Sequence, residues 1–378
     1  MRIGIDARLY GPEHTGLGRY VTNLVDNLLK QDKENEYILF VDKKYSHSFQ
    51  GLANVKIVKI NIPIYSFSEQ IILPLVYLKE KLDLLHVPHF NAPILYPKKF
   101  VVTLHDLIKH TSKGKETTTR FLAGYLLKRL GYAIEFWIMS RRATAIITPT
   151  NYVKKDVSRN LKVNENKIFV TYEASDGKIK ETNLSPKIAT KTLTDYNLQK
   201  PFVIYTGNVY PHKNLDVLID AVLSHNSKKE VDLNLAIVCA RSVFYKRVEA
   251  KIASHKAQNI IKLLGFVSDD ELSKLYSLAL CLVHPSKMEG FGLTGIEAMA
   301  VGLPVISSNA SCLPEVYGNA ALYFDPNSVS DLVAVLEKMI SSQELRQELI
   351  LRGKLQAKKY SWKRMAKETI DIYNSFCK

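Results

Sequence analysis

A chain of two doubly wound α/β domains is what the sequence predicts, and three observations predict it. Short apolar runs alternate with longer helical stretches along most of the chain. The alternation lapses once, around residues 178–200, and then restarts. At 378 residues the chain is also too long for one small core, so two domains and a cleft follow.

The opening "RIGID" is an apolar run ended by a charged turn. "VTNLVDNLLK" then places Val21, Leu24, Val25, Leu28 and Leu29 on one helical stripe. The runs "EYILFVD", "VKIVKINI", "LDLLHVP", "FVVTLHD" and "ATAIITPT" read as short buried strands of a parallel sheet covered by helices. "KIKETNLSPKIATKTLTDYNLQKP" loses apolar periodicity and reads as a linker. After it "FVIYTG", "LNLAIVCA", "IIKLLGF", "LCLVHPS", "LPVISS" and "AALYFDP" repeat the pattern. The expected domains are therefore 1–190 and 191–360. The final "SWKRMAKETIDIYNSFCK" spaces Trp362, Met365, Ile370 and Tyr373 along a helix within 361–378 that needs an apolar surface, expected on the first domain.

The net charge is +15, and residues 1–190 supply most of it, with 29 Lys and Arg against 18 Asp and Glu. A basic half suits nucleic acid, an anionic membrane or a phosphorylated substrate; a merely solvated lysine-rich surface is the alternative. Cys239, Cys281, Cys312 and Cys377 have no metal or redox spacing, which fits reduced side chains and the cytosol. No apolar signal core opens the sequence, and no run of 18 apolar residues occurs, so work at a membrane would be done from its surface.

The candidate chemistry follows strands, where ligands of such sheets bind. "GPEHTGLGRY" holds Gly11, Gly16 and Gly18 before a helix, but Val21 stands where a dinucleotide fingerprint needs its third glycine, which speaks against a dehydrogenase. "VVTLHD" ends in His105 and Asp106, which can bond sugar hydroxyls or handle a proton. "YTGNVYPHKN" places Gly207 after a strand and His212 and Lys213 before a helix, a position for a diphosphate.

"EGFGLTGIEAMAVGLPVI" is the strongest signal: a tight loop, then a helix ending near Gly302, with Pro304 beyond. The amides of Gly292, Leu293 and Thr294 open that helix, where phosphates are favoured. Glu289 precedes them and Glu297 lies about one turn inside, so two carboxylates, each able to accept two hydroxyl bonds, can flank a ligand. A solvated loop acid and an ordinary first-turn acid would be the bland alternative. A nucleic-acid binder would explain the charge and leave this pair unexplained, so nucleic acid is not the expected partner.

Here the sequence resembles a family. The stretch is similar to the acid, seven residues, acid motif of family 4 retaining glycosyltransferases with the GT-B fold, two Rossmann-like domains facing a cleft. The likeness extends to "GIDARLYGPEHTGLGRY", "TLHD", "TPTNYVKKDV" and "GNVYPHKN", in the family's order. The resemblance implies that Glu297 binds the donor's ribose and Glu289 the transferred sugar. It implies that Lys213 and the amides near Leu293 and Thr294 hold the diphosphate, and that Gly16 and Gly18 contact the donor. His105 would bond the sugar near the reacting carbon, with Asp106 as its neighbour or an acceptor-side group, and Thr150 would cap a helix.

The sequence departs from the family at the second phosphate cation, where Asn208 and His212 stand; His212, if protonated, or Arg241 would have to serve. No acid pair of the DxD type and no His/Cys cluster stands out, and the family needs neither metal nor cofactor beyond the nucleotide-sugar donor. The resemblance points to hexosyl transfer, with mannose from GDP-mannose first and UDP- or dTDP-hexoses next; a non-catalytic nucleotide-sugar sensor is the competing class. The acceptor side is the basic first domain, where residues 109–142 hold eight Lys and Arg against Glu116 and Glu135. Such an amphipathic stretch suits an anionic membrane face and a lipid-linked glycan, and predicts a cytoplasmic protein peripheral on the inner leaflet. Ordinary packing helices with solvated lysines are the alternative.

Overall fold

The computed structural model describes residues 1–49, 51–108, 122–227, 232–239 and 244–376. Backbone contacts divide them into two units. The first takes the described parts of Met1–Lys113, Arg120–Glu173 and Ser361–Lys378, and the second is Ala174–Tyr360.

In the first unit seven parallel strands are β1 (Arg2–Asp6), β2 (Glu36–Asp42), β3 (Val55–Ile60), β4 (Leu84–Val87), β5 (Phe100–Thr103), β6 (Ala145–Thr148) and β7 (Ile168–Val170). Their order is β3-β2-β1-β4-β5-β6-β7. Residues of β4, β5 and β6 are buried throughout, because helices cover a parallel sheet on both faces and leave no solvent side to alternate toward. The direction of winding reverses between β1 and β4, so the loops leaving those two strands part and open a crevice.

The terminal helix Trp362–Ser375 packs on the helix Thr15–Gln31 of this unit. Its buried stripe is Trp362, Met365, Ala366, Thr369, Ile372 and Tyr373; Ile370 is only partly covered, since the 3.6-residue period favours 369 over 370. The Tyr373 hydroxyl lies 2.6 Å from Nδ1 of His86 on β4, whose Nε2 is 2.9 Å from Thr103 Oγ1. The helix is therefore tied into the sheet by polar as well as apolar contacts.

In the second unit six parallel strands are β8 (Phe202–Thr206), β9 (Asn234–Val238), β10 (Ile261–Gly265), β11 (Leu282–His284), β12 (Val305–Ser308) and β13 (Ala321–Phe324). They run β10-β9-β8-β11-β12-β13, with the reversal between β8 and β11. The polar stretch read as a linker is not one: it holds the helix Pro186–Asp195, with Pro186 in its first turn and the Ser185 side chain accepting from the Ile188 amide. Earlier still, the Lys180 amide donates to Ser273 Oγ, and the Lys354 ammonium pairs with Glu181. The chain thus joins the second unit at Ala174, ahead of the boundary at 190 that polarity suggested. Local composition could not show this, because the segment is held by partners about a hundred residues or more away in sequence.

Cys239, Cys281 and Cys312 are buried free thiols, and burial pushes the Cys239 thiol up to about 11. Among the described residues no helix is long and apolar enough to cross a membrane.

Candidate active site

In the second unit the two strands at the reversal deliver the chemistry. β8 ends at Thr206 and is followed by Gly207, whose φ of 143° favours glycine, and by the short turn Pro211–Lys213. β11 ends at His284 and leads into the loop carrying Glu289. Lys213 Nζ donates to Glu289 Oε1 at 2.6 Å, and His284 Nε2 lies 2.8 Å from the same oxygen. Burial opposes the charge on Glu289, but the Lys213 ammonium and the His284 contacts outweigh it and hold the carboxyl well below the ordinary carboxylate range. Glu289 is only 8% exposed while Lys213 is partly buried, so the carboxylate is largely desolvated and depends on these two partners.

A second layer fixes this acid. The Tyr317 hydroxyl lies 2.8 Å from His284 Nδ1 and donates to the Gly292 carbonyl at 2.6 Å. Gly292 caps the helix Leu293–Ala300 with a φ of 86°. The Glu289 amide donates to Ser311 Oγ, and the Cys312 thiol to the Glu289 carbonyl. The acid, the helix cap and the strand end therefore move as one piece. Glu297 lies within the helix and is buried, while Leu293 and Thr294 occupy its first turn, where unpaired amides present partial positive charge.

Gly295 shows how closely this is built. A Cβ there would meet the Tyr317 ring carbon and hydroxyl at 2.3 Å. We expect Gly295→Ala to destabilise the protein by about 1–3 kcal/mol in chemical denaturation, the usual effect of overpacking. An unchanged midpoint would mean that Tyr317 is free to move, and that the second layer does not fix Glu289.

Burial, together with the Lys213 charge beside it, pulls the His212 imidazole down to about 4, so His212 is neutral near pH 7 in this state. Its ring stacks on Tyr210 with centroids 5.9 Å apart. Arg241 lies outside the described residues, as does part of the basic stretch at 109–142.

In the first unit, Gly16 and Gly18 fall within the helix Thr15–Gln31 rather than in the loop before it. A Cβ on Gly18 would meet the Gly11 carbonyl oxygen at 2.0 Å, so this glycine lets the loop lie against the helix; Gly16 faces open space. The sequence pairs His105 with Asp106, and the structure does not. His105 Nδ1 lies 3.0 Å from Glu173 Oε1, with Nε2 3.3 Å from the Pro88 carbonyl and Tyr20 set edge-on at 4.5 Å. Asp106 instead accepts from the Ile108 amide, turning the chain after the strand. Neighbours in sequence at a strand's end point apart, whereas β5 and the chain after β7 bring His105 and Glu173 together. The Thr150 side chain caps its helix by accepting from the Val153 amide.

Sequence reasoning missed Glu173, His284, Tyr317 and a charged cluster where β1 and β4 diverge. There buried Arg8 pairs with Asp6 at 2.7 Å and with Glu69 at 2.5 Å, and Asn91 bonds Glu69. Asp6 and Arg8 lie inside the quoted "GIDARLY", two residues apart at a strand's end, which was the available signal. Glu69 and Glu173 had none. Among the described residues no group of three or more His, Cys, Asp or Glu could hold a metal ion.

Two divergence points, one carrying a buried Lys–Glu–His set beside a glycine-capped helix, are the architecture of a sugar-nucleotide transferase with the GT-B fold. Residues 14–176 match the Glycosyltransferase Family 4 domain and residues 191–356 the Glycosyl transferases group 1 domain; the chain belongs to this glycosyltransferase family. It is 29% identical over 293 residues to the O-antigen chain mannosyltransferase B of Escherichia coli, covering 76% of this chain and 73% of that one. It is 27% identical over 391 residues to an uncharacterized glycosyltransferase of Methanocaldococcus jannaschii, covering 97% and 96%. Among solved structures, sucrose-phosphate synthase from Thermosynechococcus elongatus shares the fold with a TM-score of 0.76 at 18% identity, over 99% of this chain and 98% of that one.

Proposed function

We propose that this glycosyltransferase moves an α-mannosyl group from GDP-mannose to a lipid-linked glycan, with retention of configuration and without a metal ion. The observation that carries the reading is the Lys213–Glu289–His284 set on the loops after β8 and β11. The likeness to an O-antigen mannosyltransferase supports the sugar. UDP- and dTDP-hexoses are the next donors to test.

In the structure Lys213 pairs with Glu289. When the donor binds, the ammonium turns to the diphosphate, and Glu289, still held by His284, accepts hydrogen bonds from the sugar's hydroxyls. Glu297 accepts from the ribose diol, and the amides at Leu293 and Thr294 hold phosphate oxygens. Gly16 and Gly18 contact the donor, and His105, oriented by Glu173, bonds the sugar near its anomeric carbon. The acceptor oxygen forms its bond to that carbon as the bond to the diphosphate breaks, and the departing phosphate oxygen takes the acceptor's proton. Lys213 and the helix dipole stabilise the leaving charge, the task a metal performs elsewhere. The acceptor lies with the first unit, and we place the work at the inner face of a membrane.

Calorimetric titration with GDP, UDP and dTDP tests the donor. GDP should bind tightest, and Glu297→Ala should weaken it roughly tenfold or more, the worth of hydrogen bonds to a charged acceptor. Equal binding of all three, or an unaffected variant, would remove the base and ribose assignments. No binding by any would remove the transferase reading.

A further inference from the structure

We propose that His284 is a doubly protonated imidazolium, and that its charge balances Glu289 so that Lys213 can leave the acid for the donor's diphosphate. The hydrogen bonds around the ring fix where its protons are. The Tyr317 hydroxyl lies 2.6 Å from the Gly292 carbonyl and 2.8 Å from His284 Nδ1. A carbonyl can only accept, so the single hydroxyl proton is given to Gly292. The hydroxyl then offers His284 nothing but lone pairs, and Nδ1 must carry a proton and donate it.

The other ring nitrogen meets a carboxylate. Nε2 lies 2.8 Å from Glu289 Oε1, which also accepts from Lys213 Nζ at 2.6 Å. A bare Nε2 would set its lone pair against that oxygen, so a proton stands between the two atoms. The ammonium on the same oxygen favours the ionised acid, which leaves that proton on the imidazole. With both nitrogens protonated the ring is charged. His284, Tyr317 and Glu289 are all buried, and the residue opposite His284 on β12 is Ser307, which brings no charge.

Charge counting gives the imidazolium a task. Lys213 and His284 against Glu289 are two cations against one anion, so the set keeps a net positive charge. Were the histidine neutral, withdrawing Lys213 would strand a buried carboxylate, which is strongly disfavoured. With the imidazolium in place the acid keeps a counter-charge at 2.8 Å while the ammonium turns away. The arrangement also bears on what the sequence lacks at positions 208 and 212. His212 is neutral near pH 7, and a second cation stands instead at the end of β11, acting on the diphosphate through Glu289 and Lys213 rather than by contact. His284 is therefore a positioning residue. Its charge rests on the hydrogen bonds; its task rests on the donor reading above.

Nitrogen-15 spectra of the full-length, histidine-labelled protein at about pH 7.5 test the charge without any ligand. An ordinary imidazole titrates near 6.5 and is mostly neutral there. His284 should instead show protons on both ring nitrogens, and Tyr317→Phe, which removes the hydroxyl acceptor, should return it to one. Calorimetry with GDP tests the task. His284→Gln takes away one of the acid's two cations and ties Lys213 to Glu289, so GDP should bind on the order of tenfold or more weakly, the worth of a hydrogen bond between charged groups. The double variant His284→Gln, Glu289→Gln releases the lysine and should recover most of that affinity, a rescue that mere damage to the loop would not allow. A neutral ring in the native protein overturns the charge. Native affinity in His284→Gln, or a loss that Glu289→Gln does not recover, overturns the task. Failure of the native protein to bind GDP, UDP or dTDP sinks the donor reading and the task with it, while the spectra still decide the charge.

Discussion

Glu289→Ala should lower kcat/KM for sugar transfer by roughly 30- to 1,000-fold, about 2–4 kcal/mol, the range for losing one group that stabilises a transition state. Lys213→Ala should do the same by a different route. The acid is asked to hold the sugar as positive charge develops at its anomeric carbon; the lysine is asked to hold the departing diphosphate. The lysine variant should therefore also bind nucleoside diphosphate more weakly, while the acid variant retains most of that binding. The two side chains are paired at 2.6 Å in a buried site, so their effects will not add. The double variant should fall well short of the product of the single losses, because each single change leaves an uncompensated charge that the other removes. Initial rates and titrations on the four proteins test this. Full activity in both single variants would end the assignment of this site.

The second large effect concerns stability in acid. His86 is fully buried, and burial, with the His105 charge a lesser contributor, pulls its imidazole down to about 3. In the unfolded chain it titrates near 6.5. Between those values the unfolded state binds more protons than the folded one, so stability rises with pH across that window. His86 therefore subtracts nothing above about pH 6.5 and progressively more as pH falls toward 3, to a ceiling of about 5 kcal/mol. The depressed folded pKa of Glu289 acts in the same direction, since its stabilisation is present above the ordinary carboxylate range and is lost as pH falls toward its folded pKa. Urea unfolding at pH 7 and pH 4.5 should show a smaller pH dependence for His86→Gln than for the native protein. An identical dependence would mean that His86 is solvated or charged in the folded state.

Much of the architecture is legible in the sequence. Strands buried on both faces read as continuous apolar runs, and helices between them read as 3.6-residue stripes; both are local properties of a chain. The loop after β11 was legible for a related reason: Gly292, Glu289 and the helix that follows lie within a few residues, and a glycine-opened helix mouth is a local object. The errors share a cause. Asp106 was paired with His105 because it is adjacent in sequence, yet the chain turns there and Glu173 arrives from the far side of β6. The polar stretch around 178–200 resembled a linker because its partners, Ser273 and Lys354, are distant in sequence.

The sequence by itself determined the order of elements, the two sheets, the acids and lysine of the loops after β8 and β11, and the amphipathic stripe that lets the last helix return to the first sheet. Only the tertiary structure decided which charges meet: Lys213 and His284 on one oxygen of Glu289, Glu173 on His105, and Arg8 with Asp6 and Glu69. The physical reason is range. Periodicity and turn chemistry act over a few residues of chain, whereas a buried charge finds its counter-charge wherever strand order brings one, and that order is set by the packing of the whole sheet.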